Sequence, residues 1–98
     1  MNRDDVIARI KKSEPAIRAF GAQTVYLFGS TARNEATAAS DVDIFIDSDP
    51  KRLLGFLEFF GLEELLEDTL GAKVDLCTRP GLHPALRADI EQSAIRIL

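Results

Sequence analysis

The chain has 98 residues, 46% of them hydrophobic, and we expect residues 1–98 to fold as a single domain with a modest core. A formal net charge of −4 argues against direct DNA binding, because non-specific binding draws most of its affinity from Lys and Arg at phosphates. One cysteine, no signal-peptide pattern and no long apolar run lead us to expect a cytoplasmic protein that does not bind membranes.

Helical segments and a strand are predicted at the start of the chain. Residues 4–20 show a helical spacing of apolar side chains, and Pro15 either kinks this helix or begins a second one. Ser13 is a suitable N-cap for a second helix, and Gly21 is a typical helix end. Residues 24–28 are mostly β-branched, aromatic or aliphatic, which predicts a strand that stops at a Gly-Ser pair.

That pair, Gly29 and Ser30, is a candidate phosphate-binding turn. Glycine permits a backbone conformation and a close approach that a β-carbon would block. The Ser30 hydroxyl and the amides that follow can point donors at a phosphate. Residues 31–33 predict a short helical turn, from which Arg33 can supply a cation near the phosphates.

Residues 41–47 predict a second strand that carries an Asp-x-Asp pair. The period of two places Asp41 and Asp43 on one face and Val42 on the other, with Ile44 and Ile46. The two carboxylates stand roughly 7 Å apart along the strand and would repel one another. Divalent cations bound by carboxylate and triphosphate oxygens would relieve this repulsion, so the pair is a candidate metal site.

A long apolar and acidic segment follows. Residues 50–70 predict a helix that starts at Asp49 and ends at Gly71, although two internal glycines argue against one unbroken helix. Its apolar residues occupy more than one face, so the segment either wraps the core or offers part of its surface to a partner. These residues are Leu53, Leu54, Phe56, Leu57, Phe59, Phe60, Leu62, Leu65, Leu66 and Leu70. Its acidic side chains either form a solvated face or meet a basic partner.

The last third of the chain supplies a third carboxylate. Residues 73–77 alternate as a strand, with Asp75 on the face opposite Val74 and Leu76. If this strand lies beside the Asp-x-Asp strand, three carboxylates converge. Residues 84–93 then predict a helix with Leu86 and Ile90 inward. Residues 94–98 either extend that helix or return as a short strand, and their β-branched side chains favour the strand.

Taken together, three motifs resemble a known family. Residues 27–33 (LFGSTAR), 40–44 (SDVDI) and 74–76 (VDL) are similar to the minimal nucleotidyltransferases of the DNA polymerase beta superfamily. More narrowly, they resemble the MNT-domain antitoxins that are paired with HEPN-domain toxins. The resemblance implies one minimal nucleotidyltransferase domain of the α/β (α+β) class, with a small mixed β-sheet and helices packed on one face.

The resemblance also implies roles for individual residues. ATP is the expected substrate, and two Mg²⁺ ions are the expected cofactors. The expected nucleotide-binding residues are Gly29, Ser30, Arg33 and Ser40, and the expected catalytic and metal-ligating residues are Asp41, Asp43 and Asp75. Asn34 departs from the glycine that commonly follows the arginine, but asparagine tolerates the left-handed conformation better than most residues.

By resemblance, the expected reaction is transfer of AMP from ATP to a hydroxyl of a cognate HEPN toxin. The expected hydroxyl is that of a tyrosine. The transfer is expected to silence the RNase activity of the toxin. A chain of this length has no further domain to hold an acceptor, which disfavours transfer to a small molecule. The alternative, from a different class, is a non-catalytic antitoxin that inhibits its toxin by binding and occlusion.

Overall fold

The computed structural model describes residues 1–52 and 54–98, and the predicted helical position of Leu53 lies outside these residues. The elements follow one another in the order α1 (Arg3–Lys12), α2 (Glu14–Ala19), β1 (Ala22–Phe28), α3 (Gly29–Ala32), β2 (Val42–Ser48), α4 (Phe56–Leu70), β3 (Val74–Thr78), a 3₁₀ turn (Arg79–Gly81), α5 (Arg87–Ser93) and β4 (Ile95–Arg96). No helix in the described part of the chain is both long enough and apolar enough to cross a membrane.

The strands form one mixed sheet with the order β3-β2-β1-β4. Strand β1 pairs antiparallel with β2 and β4, whereas β2 and β3 pair in parallel. A parallel pair needs a crossover connection, and α4 is that connection. The predicted fold class is therefore confirmed, and of the two alternatives for residues 94–98 the short strand is the one observed.

The hydrophobic core lies on one face of this sheet. Alternate strand residues such as Val25 and Ile44 are buried there, against apolar side chains of α1, α2 and α4. The α4 residues Leu62, Leu66 and Leu70 are each at most 2% exposed and stand four residues apart, which places them in one row. Burying each leucine contributes about 2 kcal/mol, so this row anchors α4 to the sheet. The opposite face carries the polar residues of β2 and β3.

The first helical segment consists of two helices, α1 and α2, which is one of the two alternatives predicted. Helix α2 begins at Glu14 with Pro15 in its first turn, where the missing N–H is harmless. Ser13 is its N-cap by position, but the Ser13 hydroxyl contacts the Thr69 hydroxyl at 3.3 Å and does not cap. Helix α1 has a cap that the sequence reasoning overlooked, because Asn2 accepts a hydrogen bond from the Asp5 amide at 2.9 Å.

The predicted start of the long helix at Asp49 is wrong. The Asp49 carboxylate accepts a hydrogen bond from the Lys51 amide at 2.9 Å, so Asp49 closes a turn, and α4 begins only after Gly55. The helix then passes through Gly61 without a break. A β-carbon at Gly61 would lie 2.6 Å from the Phe20 ring, so this glycine provides the space in which Phe20 packs.

The C-terminal helix is shorter than predicted. It spans Arg87–Ser93, and Leu86 is its N-cap with 53% of its surface exposed, so the predicted inward position of Leu86 is wrong. Ile90 is partly buried as expected. Strand β4 returns to β1, where the Ile97 amide donates to the Val25 carbonyl at 2.8 Å.

Candidate active site

The Gly-Ser turn is in direct contact with the Asp-x-Asp strand. Gly29 directly follows β1 and has a φ of +72°, a conformation that glycine adopts without strain. Its α-carbon faces the side chain of Asp43. A β-carbon built at Gly29 would overlap the Oδ2 atom of Asp43 and lie 3.1 Å from its Cγ atom. Glycine is therefore required here twice, once for the turn and once for the position of the Asp43 carboxylate.

Strand pairing brings the third carboxylate to the same place. Asp43 lies opposite Phe28 of β1 and opposite Asp75 of β3, so the three residues form one row across the sheet. Asp41 precedes Asp43 by two residues, just before β2 begins. The predicted neighbourhood of the Asp-x-Asp strand and the Asp75 strand is confirmed. Asp43 is partly buried, whereas Asp41 and Asp75 are exposed.

The electrostatics of Asp43 reflect this crowding. Burial raises the pKa of Asp43, and the negative charges of Asp75 and Asp41 raise it further, while the positive charge of Arg33 lowers it. Each carboxylate therefore lies close enough to Asp43 to oppose its ionisation. The arrangement favours a positive charge among the carboxylates.

The short helix α3 and the turn after it hold Arg33 near the site. The Arg33 amide donates to the Gly29 carbonyl at 3.2 Å, and the Glu35 amide donates to the Ser30 carbonyl at 2.8 Å. Asn34 has a φ of 60°, so it adopts the left-handed conformation that asparagine was expected to tolerate here. The Arg33 guanidinium pairs with Glu35 at 3.1 Å, and both side chains are at least 60% exposed. A weak, solvated pair of this kind leaves Arg33 able to change partner.

Ser40 is held differently from the other predicted nucleotide ligands. Its hydroxyl accepts a hydrogen bond from the Thr37 amide at 3.0 Å and lies 3.3 Å from the Thr37 hydroxyl. Ser40 also lines a cavity of about 290 Å³ together with the core residues Val6, Val42 and Leu70. The structure thus places Ser40 in the loop before Asp41, on the helical side of the sheet. Its role at the nucleotide stays a prediction.

Below the carboxylates, an aromatic layer supports β2. Phe45 is fully buried and stacks on Tyr26, with 4.7 Å between ring centroids and 12° between planes. The Arg79 guanidinium lies 5.0 Å from the centroid of each ring and donates two hydrogen bonds, both 2.8 Å long, to the carboxylate of Asp47. This layer fixes the strand that carries Asp43.

Sequence reasoning missed the Asp47 and Arg79 pair. The signal was present in the alternation, because Asp47 follows Asp43 and Phe45 at a spacing of two, and Arg79 follows Cys77 in the same way. The parallel register pairs Phe45 with Cys77, which brings the next residues on that face together.

Burial, and then the charges of Asp75 and Asp43, raise the pKa of Cys77 to about 11, so its thiol stays protonated and is a poor nucleophile.

The carboxylates suit a hard divalent cation. All three donors are carboxylate oxygens, which Mg²⁺ and Mn²⁺ prefer, and their mutual repulsion at Asp43 is the kind that a bound cation relieves. Within residues 1–52 and 54–98, no three His, Cys, Asp or Glu side chains are already gathered as a metal-binding group. The donor chemistry fits Mg²⁺, and ligation requires the exposed side chains of Asp41 and Asp75 to turn toward Asp43.

Comparison with known proteins places this geometry in context. Residues 9–97 match the family model described as the nucleotidyltransferase domain. A Methanocaldococcus jannaschii protein named "Putative protein adenylyltransferase" is 41% identical over 76 residues, which are 76% of this chain and 76% of that protein. A Thermococcus cleftensis protein named protein adenylyltransferase MntA is 35% identical over 78 residues, which are 80% of this chain and 77% of that protein.

Solved structures show the same likeness. One described as a "putative minimal nucleotidyltransferase" is 35% identical, has a TM-score of 0.81 and covers 97% of this chain and 95% of that chain. Another, described as a toxin-antitoxin with AMP-PNP, is 21% identical, has a TM-score of 0.68 and covers 100% of this chain and 73% of that chain. At 21% identity, the second likeness concerns the fold alone.

Proposed function

The chain belongs to the nucleotidyltransferase domain family, and from that premise we propose that it is an antitoxin that transfers AMP from ATP to a hydroxyl of a HEPN-domain toxin. The observation that carries the proposal is the position of Asp43, which lies against Gly29 and in register with Asp75. This contact joins a phosphate-binding turn to a carboxylate pair. The names of the relatives support adenylyl transfer, and the toxin-antitoxin neighbour with AMP-PNP supports ATP and a toxin partner.

The triphosphate is proposed to lie over the Gly29 turn. The backbone amides after Gly29 and the Ser30 hydroxyl supply donors to phosphate oxygens, and Arg33 leaves Glu35 to add a positive charge. Ser40 is proposed to bind the nucleotide as well, through the loop that it shapes. Mg²⁺ held by the carboxylates of Asp41, Asp43 and Asp75 would neutralise charge on the triphosphate and lower the pKa of the acceptor hydroxyl.

The reaction is a displacement at the α-phosphorus of ATP. The acceptor oxygen forms a bond to this phosphorus, the bond to the bridging oxygen toward the β-phosphorus breaks, and pyrophosphate leaves. The acceptor proton is transferred to the carboxylate of Asp75, which is exposed and lies beside Asp43. By resemblance, the acceptor is a tyrosine hydroxyl of the toxin, and its modification ends the RNase activity.

The acceptor is expected to arrive on another protein. Asp41 and Asp75 are exposed, and Asp43 is only partly buried. The carboxylate row therefore lies on an open surface of the sheet. An open surface suits a side chain that is presented by a partner, and a small-molecule acceptor usually needs a concave site.

Labelled ATP tests the proposal. The chain is incubated with Mg²⁺, the protein encoded by the neighbouring gene, and ATP labelled at either the α- or the γ-phosphate. We expect the α-label alone to reach the partner, and we expect the transfer to require a divalent cation and to disappear with EDTA. Peptide mass spectrometry then identifies the modified residue, which we expect to be a tyrosine.

Two variants separate catalysis from occlusion. The double change Asp41→Asn and Asp43→Asn should abolish transfer, whereas Asp89→Asn, an exposed aspartate on α5, should transfer at the wild-type rate. Equal labelling by wild type and the double variant would show that this site is not the catalyst. A double variant that still protects cells fully from the toxin would assign the antitoxin activity to binding alone.

A further inference from the structure

The N-terminal half of α4 exposes an apolar cluster. Phe56 is 78% exposed, Leu57 81% and Phe60 48%, and we name these three residues the α4 patch. The Phe60 ring lies edge-on to the rings of Phe56 and Phe59, with centroid distances of 4.7 and 5.7 Å. Rings that already contact each other lose little freedom when a partner covers them, which is typical of residues that dominate binding energy.

The outward face of α4 changes character along its length. Leu57 and Phe60 are followed at helical spacing by Glu64 and Asp68, and all four side chains are exposed. The helix contains Glu58, Glu63, Glu64, Glu67 and Asp68 but no Lys or Arg. A complementary surface therefore needs an apolar half followed by a basic half.

This pattern disfavours a second copy of the same helix as the partner. A parallel pair of α4 helices would place Glu64 and Asp68 against the same carboxylates of the other copy, where like charges repel. An antiparallel pair would place these carboxylates against the α4 patch, where they would lose water without gaining a partner. A different protein with basic side chains avoids both penalties.

A cavity adjoins the start of α4. Leu54, two residues before the α4 patch, lines a cavity of about 330 Å³ together with Ile46, Thr78 and Pro80. Asp47 and Ser48 complete its wall, which is half apolar and half polar, and its volume is large enough for one side chain of a docked protein. A patch beside a cavity is the arrangement in which binding anchors are usually found.

The α4 patch lies far from the carboxylate row. Strand β2 runs from the end near Gly29 to Ser48, and α4 then runs back to the start of β3 because β2 and β3 are parallel. Residues 43 to 48 span roughly 17 Å of extended strand. A protein seated on the α4 patch therefore leaves the row of Asp43 and Asp75 open, and the acidic half of α4 leads back toward that row.

We propose that the α4 patch and the acidic half of α4 dock a protein whose surface has an apolar ridge followed by Lys or Arg side chains. This inference rests on the proposed function in one respect, because the docked protein is the toxin that receives AMP. Docking on α4 then holds the acceptor protein while its hydroxyl reaches the carboxylates at the other end of the sheet.

Binding and transfer measured together test the inference. The double variant Leu57→Ser and Phe60→Ser changes only exposed side chains, and Leu86→Ser on α5 is the matched control at 53% exposure. We expect the double variant to raise the Kd for the neighbouring-gene protein by about 30-fold or more and to raise KM for that protein equally. Its kcat at saturating partner and its affinity for ATP should equal those of wild type, as should its melting temperature.

A charge reversal tests the basic half of the partner. Glu64→Lys with Asp68→Lys should weaken binding and remove most of its salt dependence, whereas Asp89→Lys on α5 should leave both unchanged. The charge-reversed chain keeps the α4 patch intact, so the two effects are measured separately.

The outcomes separate this inference from the proposed function. Wild-type affinity in the Leu57→Ser and Phe60→Ser variant would overturn the docking site while transfer continues. A wild-type chain that is a dimer and becomes a monomer in this variant would assign the α4 patch to a second copy and also overturn it. Binding that depends on the α4 patch without any transfer of label would support the docking site and refute the transfer reaction.

Discussion

Replacing Gly29 with alanine should damage catalysis more than stability. The new methyl group would overlap the Oδ2 atom of Asp43, and Gly29 has a φ of +72°, which strains any residue with a β-carbon. Asp43 is only partly buried, so its carboxylate can turn away from the methyl group. The overlap is relieved by moving the carboxylate that is proposed to bind metal.

The two effects have different sizes. The left-handed conformation costs alanine roughly 1–2 kcal/mol of unfolding free energy. Each kcal/mol lowers the melting temperature of a chain of this length by about 4–8 °C. A displacement of about 1 Å at a reacting group can reduce the rate about 10²-fold. We therefore expect Gly29→Ala to remain folded and to lose about 100-fold or more in kcat for AMP transfer.

Gly71 provides the matched control. It has a φ of +63° at the end of α4, but a β-carbon there would meet no atom within 4 Å. Gly71→Ala should therefore lose roughly 1–2 kcal/mol of unfolding free energy, which is the amount that backbone strain alone costs at Gly29. It should keep the wild-type kcat. Urea unfolding and single-turnover transfer of labelled AMP measure the two quantities on the same samples.

A double variant isolates the contact itself. In an Asp43→Ala background the overlapping carboxylate is absent, so Gly29→Ala should destabilise the chain only as much as Gly71→Ala does. If Gly29→Ala keeps its kcat within about threefold of wild type, the contact between Gly29 and Asp43 does not position the carboxylate, and the reasoning is refuted.

Two further predictions concern the surroundings of the site. Hydrogen bonds from Arg79 and Thr24 hold the pKa of Asp47 below its ordinary value of 3.8. The ionised carboxylate therefore stabilises the fold above about pH 4. This contribution is lost as the pH falls through the lowered pKa of Asp47. Asp47→Asn should reduce stability at neutral pH by about 1–2 kcal/mol and flatten the acid limb of the urea-unfolding profile, and an unchanged acid limb would contradict the assignment. Ser40→Ala and Thr37→Val should each raise KM for ATP by the same factor, about threefold, because the two hydroxyls shape one loop. A far larger effect of Ser40→Ala alone would indicate direct contact between Ser40 and the nucleotide.

Sequence patterns predicted the parts of the site that depend on short-range geometry. The strand that carries Asp41 and Asp43 was predicted at nearly its observed position, and the burial of Val42 and Ile44 confirms which residues face the core. The resemblance places Asn34 where glycine is common, and its φ of 60° agrees with the tolerance of asparagine for the left-handed conformation. Such features depend on a few neighbouring residues, so the local pattern contains them.

The errors have a common physical origin. Asp49 before a proline is a frequent helix start, but its carboxylate accepts a hydrogen bond from the Lys51 amide in a turn, and α4 begins only after Gly55. Leu86 was predicted inward from helical spacing alone, yet α5 begins after it and leaves it 53% exposed. In both cases the local pattern favours a helix but does not determine the residue at which the helix begins.

The sequence by itself determined the local chemistry of this protein: a glycine turn after one strand, two aspartates on one face of the next, and a third aspartate on a later strand. Only the tertiary structure decided that β3 lies beside β2 with Asp75 opposite Asp43, and that the Asp43 carboxylate occupies the space left by the missing β-carbon of Gly29. Alternation and backbone conformation arise within a few residues, whereas strand order and side-chain contact join residues that are distant in the chain. The packing of the helices against one face of the sheet brings these distant residues together.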